Sequence, residues 1–117
     1  MSIKSGKLWG ETTEILNILG IFQLHFVKAY EGHVCSEHHH KFRLNWFYVF
    51  SGSLLIRRWK ENGVVDETIL NAGEQTQVPP EEFHQFEVLE NCSFLEAYWP
   101  YIPGQDIIRR TQGGKIK

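Results

Sequence analysis

With 117 residues and a formal charge of −2, the chain is long enough to bury a core as one domain over residues 1–117 without covalent staples. That charge argues against nucleic acid or an anionic membrane as partner, and no apolar run approaches the roughly 18–20 residues that span a bilayer. Two cysteines, Cys35 and Cys92, make no disulfide framework, and MSIKSGKLWGETTE lacks the apolar core of a signal peptide, so a reducing, cytoplasmic setting is expected.

Residues 1–12 read as a polar N-terminal arm that docks through the indole of Trp9. The stretch EILNILG has helical content, but Thr12-Thr13 before it and Gly20 at its end favour a strand or hairpin. IFQLHFVKAY alternates, which predicts a strand whose dry face is Phe22, Leu24 and Phe26 and on which His25 is an ordinary residue. After a turn at Glu31-Gly32 comes the run His38-His39-His40. In a strand, residues i and i+2 share a face, so His38 and His40 can converge on one ion while His39 points away. Neutral imidazole is a common metal ligand, and a lone His84 lies further along the chain.

FRLNWFYVF is rich in aromatic and β-branched residues and reads as the strongest strand, closed by Ser51-Gly52-Ser53. LLIRRW follows, then Asn62-Gly63, a local hairpin signal. VVDETIL and EQTQVP are further strands, stopped by Pro79-Pro80, which have no N–H to donate. FHQFEVLE and CSFLEAYW read as two strands joined at Glu90-Asn91. The tail over 100–117, with two prolines and three glycines, is expected to wrap the surface or fray. Eight or nine short strands with turn residues between them predict an all-β sandwich or jelly-roll barrel.

Two blocks of this sequence resemble the cupin superfamily. Gly32, His38, His40 and Gly52 fall at the spacing of its first motif, G-x5-H-x-H-x4-E-x6-G. Gly73, Pro79 and His84 fall at that of the second, G-x5-P-x-G-x2-H-x3-N. The departures are Asn45 at the glutamate position, Glu81 at the second-motif glycine and Val88 at the final asparagine. Trp9-Gly10 and Asp106-Ile107-Ile108-Arg109 are similar to the cupin domain of mannose-6-phosphate isomerase/mannose-1-phosphate guanylyltransferase enzymes.

The resemblance implies a double-stranded β-helix (jelly-roll) cupin barrel and a divalent transition metal (Zn, Ni, Fe or Mn) on His38, His40 and His84, with Asn45 in the fourth position. Asn in place of Glu leaves the ion its full charge, which favours Zn²⁺, Ni²⁺, Cu²⁺ or Fe²⁺ over Mn²⁺ or Mg²⁺ and draws anions. Glu37 has the wrong parity to substitute. If Asn45 faces inward, so do Phe47, Val49 and Ser51, while Trp46, Tyr48 and Phe50 face out. That outer patch calls for cover, and a swapped Trp9 arm makes a homodimer the expected assembly. Glu96 and Tyr98 are the catalytic candidates, a carboxyl of raised pKa and its neighbour; Arg43 and Phe47 are the substrate-binding ones. Arg109 and Arg110 read as surface charges, and Cys35 and Cys92 as buried thiols.

The expected function is a metal-binding cupin acting on a small-molecule ligand, as an isomerase or epimerase of a sugar or sugar phosphate. A non-catalytic metabolite-binding cupin and an Fe(II)-dependent dioxygenase are the alternatives.

Overall fold

A computed structural model describes residues 3–100 and 107–116, with side chains from residue 6 onward. Its regular structure is strand throughout: β1 (Ile3–Lys7), β2 (Gly10–Ile18), β3 (Phe22–Ala29), β4 (His33–Val34), β5 (His38–His40), β6 (Leu44–Trp59), β7 (Val65–Leu70), β8 (Gln75–Val78), β9 (His84–Trp99), β10 (Ile107–Arg109) and β11 (Gly114–Lys115). The sheet curls on itself into a jelly-roll barrel.

The spine is the antiparallel pair β6 and β9, each 16 residues long, running from Leu44 opposite Trp99 to Arg58 opposite His84. Leu44–Val49 and the C-terminal part of β9 belong to one layer, flanked by β8 on one side and by β3, β2 and β1 on the other. Leu54–Trp59 and the N-terminal part of β9 belong to the second, flanked by β7 and by β4 and β5. β10 and β11 close the edge on β5 and β4.

Ser51-Gly52-Ser53 and Glu90-Asn91, expected as turns between separate strands, are instead where one long strand pair passes between layers. The register shifts between Val49 and Ser51, again before Ser53, and again before Leu54. Bulges bend a strand without ending it. Gly52 is required there: its φ is +81°, and a Cβ would lie 2.1 Å from the Asn91 carbonyl oxygen. The bulge also resets parity, so Ser51 is exposed rather than inward. The Asn62-Gly63 hairpin forms as expected, with Lys60 N–H donating to the Val64 carbonyl at 2.9 Å.

The interior divides along the strands. Val27, Val49, Leu54, Ile56, Val88 and Phe94 fill one end and are fully buried. Each such side chain contributes about 1.5–3 kcal/mol by leaving water. Phe47, Phe86 and Phe94 form a layer across the barrel, with ring centroids 5.5–6.5 Å apart, and Phe47 meets His84 at 6.4 Å. Polar residues begin above that layer.

One expectation about facing is corrected. The inward face of β3 is Gln23, His25, Val27 and Ala29; Phe22, Leu24 and Phe26 lie on the outer face, against Trp99 and Phe50. At the cavity end β3 turns the polar Gln23 and His25 inward, which inverts the usual code there. Trp9 docks through its indole as expected, edge-on to Phe86 at 4.8 Å, and β1 pairs with β2. Of the two outcomes expected for the tail, residues 107–116 take the first and wrap onto the sheet as β10 and β11; Pro103 and Gly104 lie outside the described residues.

Candidate metal centre

His38 and His40 come from β5, and His84 opens β9 directly opposite His38. All three are buried, and their candidate ligand atoms lie within 4.8 Å of one another. The His38 and His84 ring centroids are 4.4 Å apart. Strand alternation turns His39 outward onto Phe83 at 4.6 Å, as expected. His33 opens β4, and its Nδ1 meets the carbonyls of Tyr30 and Glu31.

Backbone carbonyls set the tautomers. His38 Nδ1 lies 2.8 Å from the Ser36 carbonyl and His84 Nδ1 lies 3.1 Å from that of Glu82. A carbonyl only accepts, so each Nδ1 carries the proton and each Nε2 presents a lone pair. Burial keeps both rings neutral. It lowers the His38 pKa to about 4 and pushes His84 well below the usual histidine value, with His38 adding to the effect.

Asn45 tests whether these residues fit a cation. Its Oδ1 lies 3.1 Å from His84 Nε2, while its Nδ2 donates to Glu96 Oε2 at 3.3 Å and to the Ala97 carbonyl at 3.4 Å. With the His84 proton on Nδ1, two buried acceptors face each other. Flipping the amide would only move the conflict to Glu96 and Ala97. A divalent ion bound by both atoms removes it. The donor set therefore fits a metal held by His38, His40, His84 and the Asn45 carbonyl oxygen.

Beside this cluster opens a cavity of about 390 Å³, lined in part by His38, His40, Glu96, Tyr98 and Arg43. Asn45 and His84, 1% and 2% exposed, complete the cluster below its wall. Burial raises the pKa of Glu96, and hydrogen bonds from Tyr98 and Asn45 offset part of that rise. Burial, together with the charge of Glu96, raises the Tyr98 phenol well above its usual value. The Arg43 guanidinium lies over the Tyr98 ring at 5.2 Å. Phe47 lies beneath the histidines, outside the cavity wall. Glu37 points away from the cluster and pairs with Arg110 at 3.0 Å.

The cavity also holds residues that the sequence pattern left unassigned. His25 faces in beside Tyr98 at 6.0 Å, with its Nδ1 3.1 Å from Thr12 Oγ1, and burial lowers its pKa. Lys7 and Arg109 line the same space, so Arg109 is not simply a surface charge. The signal for His25 is its position opposite Glu96; for Arg109 it is pairing with His38.

No family model matches the chain, and no curated protein sequence matches it. Among solved structures, a Trp-to-Phe variant of oxalate decarboxylase from B. subtilis is similar, with a TM-score of 0.79 and 17% identity, over 93% of this chain and 30% of that one. The fold is the cupin jelly roll. A further cupin structure, an Arg-to-Ala variant of the Bacillus subtilis decarboxylase, gives a TM-score of 0.79 at 18% identity over 92% of this chain and 30% of that one. A third, from work on the Mn(II) centres of that decarboxylase, gives 0.72 at 20% over 83% of this chain and 27% of the other. The chain spans under a third of the length of these neighbours.

Proposed function

We propose that the chain is a small metal-dependent cupin that moves a proton on a small polar substrate, in the class of sugar or sugar-phosphate isomerases and epimerases. The observation that carries this reading is the adjacency of an acid–base group to the metal cluster. Glu96 accepts from Asn45, Asn45 contacts His84, and Glu96 and Tyr98 line the cavity that His38 and His40 line. A divalent ion on His38, His40, His84 and Asn45 would polarise a substrate carbonyl or hydroxyl oxygen.

The chain's own residues do the rest. Glu96, whose burial favours the protonated form at higher pH than usual, exchanges a proton with the carbon next to that oxygen. Tyr98 donates to Glu96 and holds the carboxyl in place. Arg43, laid on the Tyr98 ring, orients polar substituents. Trp9 and Phe86 supply apolar wall that excludes water.

The first test is metal content of untagged protein beside a His84→Ala control. About one Zn, Ni, Fe or Mn per chain, lost in the control, supports the centre; no metal in either after reconstitution defeats it. Solvent deuterium incorporation into candidate sugars and sugar phosphates then tests the chemistry, with Glu96→Gln expected to abolish it. Three His ligands that would leave coordination positions open favour one second reading, an Fe(II) dioxygenase. Iron as the native metal together with ligand-dependent oxygen consumption would select it. Metal and ligand binding with neither turnover would leave a binding cupin.

We also propose that the chain pairs with a second copy through its outer aromatic face. Phe50 is 48% exposed there beside Tyr48 and Phe26, and Tyr48 stacks on Trp46. Sedimentation equilibrium tests this. Phe50→Glu should shift a dimer to monomer, and a monomeric wild type would end the proposal.

A further inference from the structure

Resting on the cavity of the preceding reading, we infer that its ligand is a small anion, carrying a carboxylate or phosphate group that Lys7, Arg43 and Arg109 recognise together. The chain as a whole is slightly acidic, yet among the described residues these three cations line one cavity against a single carboxyl, Glu96. They come from three separate places, the end of β1, the approach to β6 and the end of β10. Their convergence is therefore a product of the fold and not the solvated face of one strand.

The neighbouring arginines show what ordinary charges do here. Arg57 is bonded to Glu67 and Glu87, Arg58 to Glu82, and Arg110 to Glu37 while lying on the Phe83 and Trp59 rings. Among the described residues, no carboxylate pairs with Lys7 or with Arg109. Arg109 stands next to Arg110 in sequence, but strand alternation aims it to the cavity side instead. It acts on His38 and Cys35, whereas Lys7 and Arg43 act on His25 and Glu96. Positive charge thus flanks the cavity at both ends.

A cleft lined by one sign of charge between low-dielectric walls concentrates ions of the opposite sign. Guanidinium groups add directional, charge-assisted donors suited to carboxylate and phosphate oxygens. A volume of about 390 Å³ admits a small organic acid or phosphate ester and no polymer. The wall also offers Gln23 and His25 for hydroxyl or carbonyl groups of such a molecule.

The test titrates metal-free and zinc-loaded protein with malonate, inorganic phosphate and neutral malonamide. Calorimetry and tryptophan fluorescence follow binding, since Trp9 lines the cavity. At least one anion should bind about tenfold or more tighter than malonamide in metal-free protein, and more weakly in high salt. Lys7→Gln and Arg109→Gln should each weaken it about tenfold, while Arg110→Gln should not. Both target side chains are exposed, and circular dichroism of each variant confirms its fold. Preference for malonate selects a carboxylate ligand, and preference for phosphate a phosphorylated one. Equal binding of malonamide and both anions, or equal losses in Arg109→Gln and Arg110→Gln, would overturn the inference. Anion binding without any zinc binding would keep it while removing the metal reading; zinc binding without anion preference would do the reverse.

Discussion

Along the inward face of β9, Phe86 and Val88 lead to the bulge, Phe94 follows it, and then come Glu96 and Tyr98. The inward face of β6 changes just as sharply, with Asn45 one alternation from Phe47 and Val49. One end of the barrel interior is hydrocarbon packed to exclude water, and the other is a buried polar cluster beside a cavity. The Phe47, Phe86 and Phe94 layer divides them. The two ends carry different energetic consequences. Burial at the dry end supplies stability, whereas burial at the polar end disfavours charge, a cost that His38 and His84 exact as pH falls below the usual histidine range and Glu96 as pH rises above the usual carboxylate range.

Removing a dry-end side chain gives the largest stability effect. Phe94→Ala opens a cavity where the side chain is fully buried and should cost about 3–5 kcal/mol in urea unfolding. Its ring touches no histidine ring, so zinc stoichiometry of the folded variant should stay at the wild-type value. A loss of zinc binding at wild-type-like stability would show that the two ends are not separable.

The polar end is broken by pH. An unfolded histidine takes a proton below about 6.5, but folded His38 does so only near 4, so the unfolded state binds more protons in between. Metal-free protein should therefore lose stability as pH falls from 6.5 toward 4, by on the order of 3 kcal/mol from His38, with His84 adding in the same direction. Glu96 acts with the other sign: its raised pKa withdraws stability as pH climbs above its usual value near 4.5. Thermal midpoints across this range check the prediction. His38→Gln should flatten the acid limb, and zinc should move it to lower pH, since only neutral imidazole binds the ion.

How much of each end was legible follows from the range of the signals. His38 and His40 are two residues apart in one strand, so local alternation was enough for them; Asn45 was legible by its motif position, and Phe47 and Val49 follow from it by parity. His84 was legible only by its motif spacing. His25, Lys7 and Arg109 reach the cavity through the pairings of β3 with β9, β1 with β2 and β10 with β5, which local pattern does not encode. Phe22, Leu24 and Phe26 misled because the rule that apolar faces turn inward fails where the interior is polar. Gly52 and Asn91 misled because a close backbone crossing and a turn use the same residue types.

Asn45 tests the charge of the polar end. Asn45→Glu would add a carboxylate to the three histidines and should tighten Mn²⁺ binding at least tenfold, about 1.4 kcal/mol or more. Titration of metal-free protein with Mn²⁺ and Zn²⁺ reads it. Unchanged preference between the ions would mean that Asn45 does not bind the metal and that the His84 contact is resolved otherwise.

Glu81 offers the smallest effect and a test of how local strain supports the cluster. Cupins carry glycine at this position by the motif to which the chain is similar, and Glu81 retains the backbone that glycine would prefer, with φ at +69°. Its N–H donates to the carbonyl of His40 at 2.7 Å, so the turn is tied to a metal-site residue. A non-glycine residue in the left-handed region costs about 1–2 kcal/mol, and glycine returns part of that gain to the unfolded chain as entropy. Glu81→Gly should then stabilise the protein by about 0.5–1 kcal/mol in urea unfolding, with zinc affinity unchanged, because the hydrogen bond uses backbone alone. A destabilised variant would mean that the Glu81 side chain contributes more than its strain costs. In that case this departure from the motif belongs to the site as much as Asn45 does.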